Sequence, residues 1–517
     1  MSVTDSGEMI HPGLPLAWGL AVLASMLLVG GVMLIARADG ESRTRHFELA
    51  AMPGIGGAIS YAASSTWLLR VLKLLFLALF LLIIASGLYG TPIPERNAAT
   101  VLTWNLWWSG LIVSVFFAGS IWCAVCPWNT FANLLVNRRL TGRARRGSRL
   151  VLRVPKYLRN LWPALIMFIG LTWLELGVGV TVSPYATAIL ALVIVILATA
   201  SLAIFERRAF CRFFCPVGRT VGFYSQLAPV EQRPRDTQIC ADCTTLECYY
   251  GSETVEPCPT HQLMGRMRQN TFCTSCGNCA RSCPESNVVW RLRSPSAEAI
   301  RDARPHWDEA WFMLGLLALT GFHGLTMMAF WDGWISALAR AIGDSGQLLT
   351  SFSLGLAASL AAPFLLYAAA VWMTCRVGGL TTGFATVFSR FAFVALPLAF
   401  AYHLAHNLNH LVREGSSLSE VLVNPFGQGA LPLGDMEKHV RAMDMAIPHG
   451  WVHAIQAGLV ALGFLIAMRV IQSRGQSLLP QDGRSRQIVA LAPMALFAAG
   501  MTAFHLWLLM QPMVMRL

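Results

Sequence analysis

Hydrophobic positions along the chain gather in runs of about 20 residues, not in the alternating or three-to-four spacing of half-buried elements. Ten runs predict membrane-spanning helices, at about 15–36, 68–89, 101–122, 161–182, 186–205, 309–331, 353–374, 391–411, 449–470 and 488–511. At 1.5 Å per residue, each is long enough for a hydrocarbon core of ~30 Å. Polar residues collect between the runs, and only segment 206–308 is a sizeable polar insertion. It is Cys-rich, basic and broken by Pro. Its scarcity of aliphatic residues predicts a small fold stabilised by bound metal.

Composition agrees with the pattern. The 517 residues are 55% hydrophobic and 13% charged, against about 25% charged in soluble domains. A soluble enzyme and a disordered chain are both excluded. The net charge of +12 is not a nucleic-acid signal, because the basic residues sit in loops between apolar runs. With the N-terminus outside, the inner loops hold 33 Lys and Arg; the outer ones hold six, namely Arg96, Arg340, Arg413, Lys438, Arg441 and Arg516. That asymmetry predicts a bacterial cytoplasmic-membrane protein with both termini periplasmic and segment 206–308 cytoplasmic. The first fourteen residues hold no Lys or Arg, so 15–36 is expected to be a retained span and not a signal peptide. The basic loop from Leu140 to Arg149 is expected to anchor on anionic lipid.

The fold class expected is therefore an all-α polytopic membrane protein of about ten spans with a small cytoplasmic α+β ferredoxin-like insertion. Its expected divisions are 1–67 (first span and loop), 68–218 (four-helix core), 219–308 (ferredoxin-like) and 309–517 (five-helix bundle).

Twelve of the thirteen Cys are clustered. The run Cys273-Thr-Ser-Cys276-Gly-Asn-Cys279-Ala-Arg-Ser-Cys283-Pro284 has the C-x2-C-x2-C-x3-C-P spacing of bacterial ferredoxins. In such a run three thiolates wrap one [4Fe–4S] cube and the fourth reaches its neighbour. Gly277 permits the close turn. Zinc would call for two separated C-x2-C pairs. Upstream stand Cys240, Cys243, Cys248 and Cys258-Pro259 in looser spacing. The swap rule assigns Cys240, Cys243, Cys248 and Cys283 to one cube, and Cys273, Cys276, Cys279 and Cys258 to the other. Two further pairs, Cys123-Ala-Val-Cys126-Pro127 and Cys211-Arg-Phe-Phe-Cys215-Pro216, close the third and fifth runs on the inner side. Each follows a helical hairpin, so 68–128 and 161–218 read as a degenerate duplication. Their four thiols suit a third cluster, a single metal or cycling dithiols; as buried apolar side chains they would do no chemistry. Cys375 stands alone and is expected to be inert.

Two Cys-Pro pairs followed by a double-cubane segment resemble the membrane-bound polyferredoxins that include NosR, NapH and CcoG. The resemblance covers about residues 68–295 and is strongest from Cys211 to Pro216 and from Cys273 to Pro284. It implies an inner-membrane protein that moves electrons between the quinone pool or a cytoplasmic donor and periplasmic metalloproteins, or assists assembly of copper-containing respiratory enzymes. The chain departs from the pattern in its two-residue Cys123–Cys126 spacing, where three is usual. It shows no long outer flavin-binding domain, and it adds the bundle of 309–517.

That bundle is rich in intramembrane His, which by default marks function. His403, His406 and His410 follow one another at i, i+3 and i+7 on one helical face, and His449 and His453 are one turn apart. His323 and His505 lie on two further runs. Depth along each run puts His323, His403, His406, His453 and His505 near one level in the outer half of the bilayer. The outer loop adds Asp435, Met436, Glu437, His439, Met443, Asp444 and Met445. A b-type haem with two axial His, a copper or iron site of several imidazoles, and polar pairing between helices all fit. No outer Cys and no C-x-x-C-H exist, which excludes a thiolate copper centre there and c-type haem. Glu175, alone in its span, suits a proton or quinol contact, or helix pairing. Trp104, Trp107, Trp108, Trp331 and Trp334 at run ends are expected to form an interfacial belt.

The expected function is iron–sulfur electron transfer across the membrane between a cytoplasmic or quinone donor and a periplasmic redox partner. The alternative is an iron–sulfur maturation or regulatory factor for a metalloenzyme. A metal-ion permease would leave the twelve inner Cys unused. No nucleophile–base set and no phosphate loop point to hydrolysis.

Overall fold

The computed structural model describes residues 2–3, 9–35, 46–142, 149–415, 417–434, 436–437, 440, 447–479 and 483–514. Asp435, His439, Met443, Asp444 and Met445 lie outside the described residues, as does most of the basic loop after Gly142.

Ten long helices answer the ten apolar runs: α1 (Leu16–Ile35), α2 (Thr66–Tyr89), α3 (Ala98–Ala118), α4 (Trp162–Leu176), α5 (Pro184–Ile204), α6 (Trp307–Thr326), α7 (Leu349–Gly378), α8 (Phe384–Val412), α9 (His449–Gln476) and α10 (Arg484–Met510). Eight of them are long and apolar enough to cross a membrane. The two that fall short have separate reasons. Helix α4 has only 15 residues and gives way at Gly177 to a short turn, Val180–Val182. Helix α6 opens on Asp308 and Glu309 and is buried along most of its length, so its sides meet protein where a lipid-facing helix would meet acyl chains. Elsewhere Leu27, Leu28, Leu75, Ile166, Ile196, Leu365, Leu366 and Leu496 point outward, as the lipid-facing side of a bundle requires. The chain is a multi-pass helical membrane protein.

The hairpins α2–α3 and α4–α5 start from local signals. Ser65 caps α2 by accepting from the Leu68 N–H, at 3.1 Å. Ser183 caps α5, with Pro184 in its first turn, where a missing N–H costs nothing. Within α3, residues Val101–Trp108 widen into a π-helix, a form frequent at functional sites.

The polar insertion carries the antiparallel pair Val230–Pro234 and Val288–Leu292, in register from Val230 opposite Leu292 to Pro234 opposite Val288. Phe47–Glu48 adds a third strand at the far edge. Beside this sheet lies a buried ionic network. Arg291 Nε donates to Glu231 at 2.8 Å, Arg293 Nη1 to Glu231 at 3.0 Å and Arg233 Nη2 to Glu298 at 2.7 Å. Burial pushes the Glu231 carboxyl up, and the guanidiniums of Arg233, Arg293 and Arg291 outweigh it, holding the group below the usual carboxylate range.

One side chain ties this insertion to the bundle. Arg474, near the end of α9, is buried and donates to the carbonyls of Ala299 (2.6 Å), Glu298 (3.0 Å) and Ala303 (3.2 Å). Its guanidinium stacks 3.6 Å from the centroid of Phe393. Truncation takes a charged donor away from three carbonyls, of which that of Glu298 keeps the Ala303 N–H, and hydrogen bonds to charged groups are the strong ones. Arg474→Ala is expected to lower stability by about 3 kcal/mol, read as a drop in Tm of the detergent-solubilised protein, with Arg474→Lys falling between the two.

Candidate functional site

The cysteines fall into three groups in space. In the first, Cys240 lies within electrostatic reach of Cys243 and Cys283, and Cys248 of all three. Asn287 stitches the group together: its side-chain amide donates to Cys240 Sγ and its backbone N–H to Cys283 Sγ, both at 3.4 Å. In the second, Cys279 lies within reach of Cys273, Cys276 and Cys258, and Cys258 of Cys276. These are the two quartets that the swap rule assigns. Cys279 also senses Cys248, and both pack with Met264 and Val288 in one apolar cluster, so the quartets are neighbours.

The backbone is bent to aim N–H groups at sulfur. Ser275 and Gly277 take φ of 47° and 72°, Leu246 49° and His261 57°. The turns let Ser275 N–H donate to Cys273 Sγ at 3.4 Å and Gln262 N–H to Cys258 Sγ at 3.2 Å. Such bonds favour a thiolate and tune a bound cluster. Burial pushes the Cys273 thiol up to about 11 and raises Cys279 and Cys258 in the same direction. Thiols so placed are deprotonated when a cationic centre offsets the burial. Cys243 is different: the Leu246 N–H and the Thr245 hydroxyl hold it below the usual thiol range. The first group is thus the more solvated and the second the deeper.

The third group joins the two Cys-Pro pairs. Cys123, Cys126, Cys211 and Cys215 line one cavity of about 450 Å³, together with Trp122, Arg219 and Thr274. Pro127 and Pro216 each start a helix, Pro127–Asn137 and Pro216–Tyr224, with Cys126 and Cys215 at the N-cap. Cys215 Sγ accepts from Gly218 N–H at 3.2 Å. A sulfur there meets the positive end of the helix dipole. Arg219, fully buried on that same helix, adds positive charge beside the thiols. It donates to the Thr271 carbonyl at 2.6 Å and lies 4.9 Å from the Phe272 ring centroid. A methyl group on Gly222 would run into that carbonyl. The helix of the third group therefore presses directly on the loop of the second.

The donor set fits iron–sulfur clusters. A tetrahedral zinc with Zn–S of 2.3 Å holds its sulfurs about 3.8 Å apart. Among the described residues the set of three or more His, Cys or carboxylate donors within 4.8 Å is His323, His406 and His410; the three thiol groups each offer four sulfur donors, the ligand type and number that a [4Fe–4S] cluster takes.

A second cavity, of about 210 Å³, shares Trp122 and Trp128 with the first and is lined by Trp104, Trp107, Trp108 and Glu175. The indole N–H groups of Trp107 and Trp122 are buried without a hydrogen-bond partner. Trp104, Trp107 and Trp108 are half-buried along this cavity. Trp331 is likewise buried, against Phe322 and Phe352, and of the five only Trp334 is largely exposed. Trp104, Trp107 and Trp108 all belong to the π-helical turn of α3.

The histidines divide. His403 meets the Tyr224 hydroxyl through Nδ1 at 3.2 Å and lies 5.8 Å from Trp108, centroid to centroid. His406 and His410 turn instead to His323. His505 stacks on Tyr402 at 4.3 Å. His449 and His453 face each other at 6.2 Å, apart from that trio. The shared level along four helices thus resolves into one close trio from two helices. Two turns of α8 separate His403 from His410, enough to change neighbours. Met436 and Glu437 are described, and Glu437 pairs with Arg96 at 2.8 Å. Cys375 is partly buried on α7, away from the three groups. Sequence reasoning missed Arg219, Asn287 and Tyr224. Arg219 alone left a signal, as a charge four residues after Cys215 at a membrane end.

Comparison with known proteins bears on the third group. A family described as "4Fe-4S binding domain" matches residues 100–144 and 185–228. Those two segments are similar to a 4Fe-4S binding domain. Both matched segments contain a Cys-Pro pair, which agrees with a duplicated unit, and neither reaches the Cys273 run. The chain is also 30% identical over 124 residues to YccM of Escherichia coli (strain K12), a protein named for electron transport. The match covers 23% of this chain and 32% of YccM, so the chain spans about a third of that relative's length. No solved structure matches the chain. The findings support an iron–sulfur protein of electron transfer.

Acid sensitivity is expected at the second group. Burial, then the charges of Arg207, Arg212 and Arg159, hold the His261 imidazole down to about 4. The folded state thus keeps this ring neutral where the unfolded chain protonates it. Stability from this source is present above about pH 6.5 and is lost as pH falls toward 4. His261→Asn, which tolerates the left-handed backbone, is expected to flatten the fall in Tm between pH 7 and 5.

Proposed function

We propose that this chain is a membrane electron-transfer protein in which each of the three thiol groups holds a [4Fe–4S] cluster. Cys240, Cys243, Cys248 and Cys283 hold the first, Cys273, Cys276, Cys279 and Cys258 the second, and Cys123, Cys126, Cys211 and Cys215 the third. Bound there, the clusters supply low-potential one-electron transfer. The chain's own residues do the rest. Asn287, Ser275, Gln262 and Gly218 aim N–H groups at sulfur and Arg219 offsets negative charge at the membrane border. The Trp-lined wall excludes water. The observation that carries the reading is the contact of the Pro216–Tyr224 helix with the Thr271–Thr274 loop, which makes the second and third groups adjacent.

The Trp104–Trp107–Trp122 cavity is the seat of a quinone ring. Two unpartnered indole N–H donors suit its carbonyl oxygens, and Glu175 stands ready to exchange the proton that accompanies reduction. Loop charge, 33 inside against six outside, supports a bacterial cytoplasmic membrane with the first two groups in the cytoplasm and both termini periplasmic. Within that layout 68–218 forms the membrane core, 219–308 the ferredoxin-like unit and 309–517 the second bundle.

The test is anaerobic. Two reduced methyl viologens, one decylubiquinone and two protons give two oxidised viologens and one quinol. Proteoliposomes are expected to speed this loss of viologen colour above protein-free vesicles. Cys215→Ser is expected to slow it at least tenfold while the EPR signals of the other two clusters persist. Clusters present with no turnover would instead favour the maturation-factor reading.

A further inference from the structure

We propose that His323, His406 and His410 form a binding site for a single first-row transition-metal ion, separate from every thiol group. Their donor nitrogens all lie within 4.8 Å of one another. His406 Nε2 and His410 Nε2 are 3.1 Å apart. His323 comes across from the neighbouring helix α6, its ring 5.0 Å from His406 and 6.5 Å from His410, centroid to centroid. The planes cross at 85°, 77° and 67°, so the rings stand edge to face around a common point and do not stack.

Three imidazoles on a tetrahedral ion, with metal–nitrogen distances of 2.0–2.1 Å, sit about 3.3 Å apart. The α8 pair already meets this spacing, and a shift of up to about 1.5 Å in His323 completes it. The two α8 ligands are one turn apart, the i, i+4 spacing that puts both on one face. The scaffold is held from several sides. Asn407 donates to the His403 carbonyl at 2.8 Å and accepts from Ser109 at 3.1 Å, and Gln456 of α9 donates to the Ala405 carbonyl at 3.0 Å. Thr326 donates to the His323 carbonyl at 2.8 Å. His406 is 2% exposed, so its ring is held away from water.

The ligand chemistry selects the ion. Neutral nitrogen donors without a carboxylate in the trio favour zinc, copper or iron(II) over magnesium or calcium. Three protein ligands leave a fourth position open, the mark of an exchanging or reactive site.

The full chain, purified anaerobically with its clusters oxidised and stripped by mild chelation, is equilibrated with zinc(II), desalted and counted for zinc. A parallel sample takes copper(II) for EPR. One retained equivalent of zinc is expected, with nitrogen hyperfine splitting on the copper signal. His406→Gln and His410→Gln are each expected to weaken retention at least tenfold, and His505→Gln to leave it unchanged. Iron and sulfide contents serve as the folding control; if His406→Gln loses them, His323→Asn and His410→Gln carry the test. No retained ion, equal retention in the trio variants, or a Soret band lost with them would overturn the site.

Discussion

The architecture turns on one junction, where the helix that begins at Cys215-Pro216 lies flat against the loop that ends at Cys273. Burial makes that contact demanding. Arg219 is fully enclosed, and an enclosed guanidinium is tolerable only with acceptors and negative charge around it. It finds the Thr271 carbonyl on one side and the thiols of the Cys-Pro pairs on the other. Gly222 allows the approach because it has no side chain to obstruct the same carbonyl. A single turn of helix thereby brings sulfur groups from two regions of the chain to a common boundary.

The same logic extends outward. The insertion is too poor in aliphatics to hold itself by hydrophobic burial, so it relies on polar ties. Arg474 clamps it to α9, the Glu231 and Glu298 network braces its sheet, and Asn287 joins two of its cysteines. On the other side of the junction, Tyr224 ends the Cys215 helix and meets His403 on α8. The cysteine-bearing core and the histidine-bearing bundle are therefore in direct contact there, with Trp108 packed beside the hydrogen bond.

Much of this was legible in the chain. Apolar run length anticipated a multi-pass helical chain, with eight of the described helices long and apolar enough to cross a membrane, and the cysteine spacing pointed to thiols that the fold places close together. What the pattern could not supply were interactions between segments far apart in sequence. Tyr224 and His403 are 179 residues apart, and no local periodicity couples them. The histidine level resolves into separate groups for the same reason: which rings meet is decided by packing between helices, and that packing keeps His403 and His505 out of the trio. That Trp104, Trp107 and Trp108 line a cavity beside Glu175 was likewise not legible, because it depends on how the helices pack. That helix α6 is enclosed by other helices was also not legible, because hydropathy does not distinguish lipid from a protein interior.

The most direct measurement is an iron and acid-labile sulfide count on anaerobically purified protein, with Mössbauer spectra to assign the iron. Three cubane clusters predict about twelve iron and twelve sulfide per chain, all in tetrahedral sulfur coordination. Zinc in place of iron, or iron without sulfide, would contradict the account.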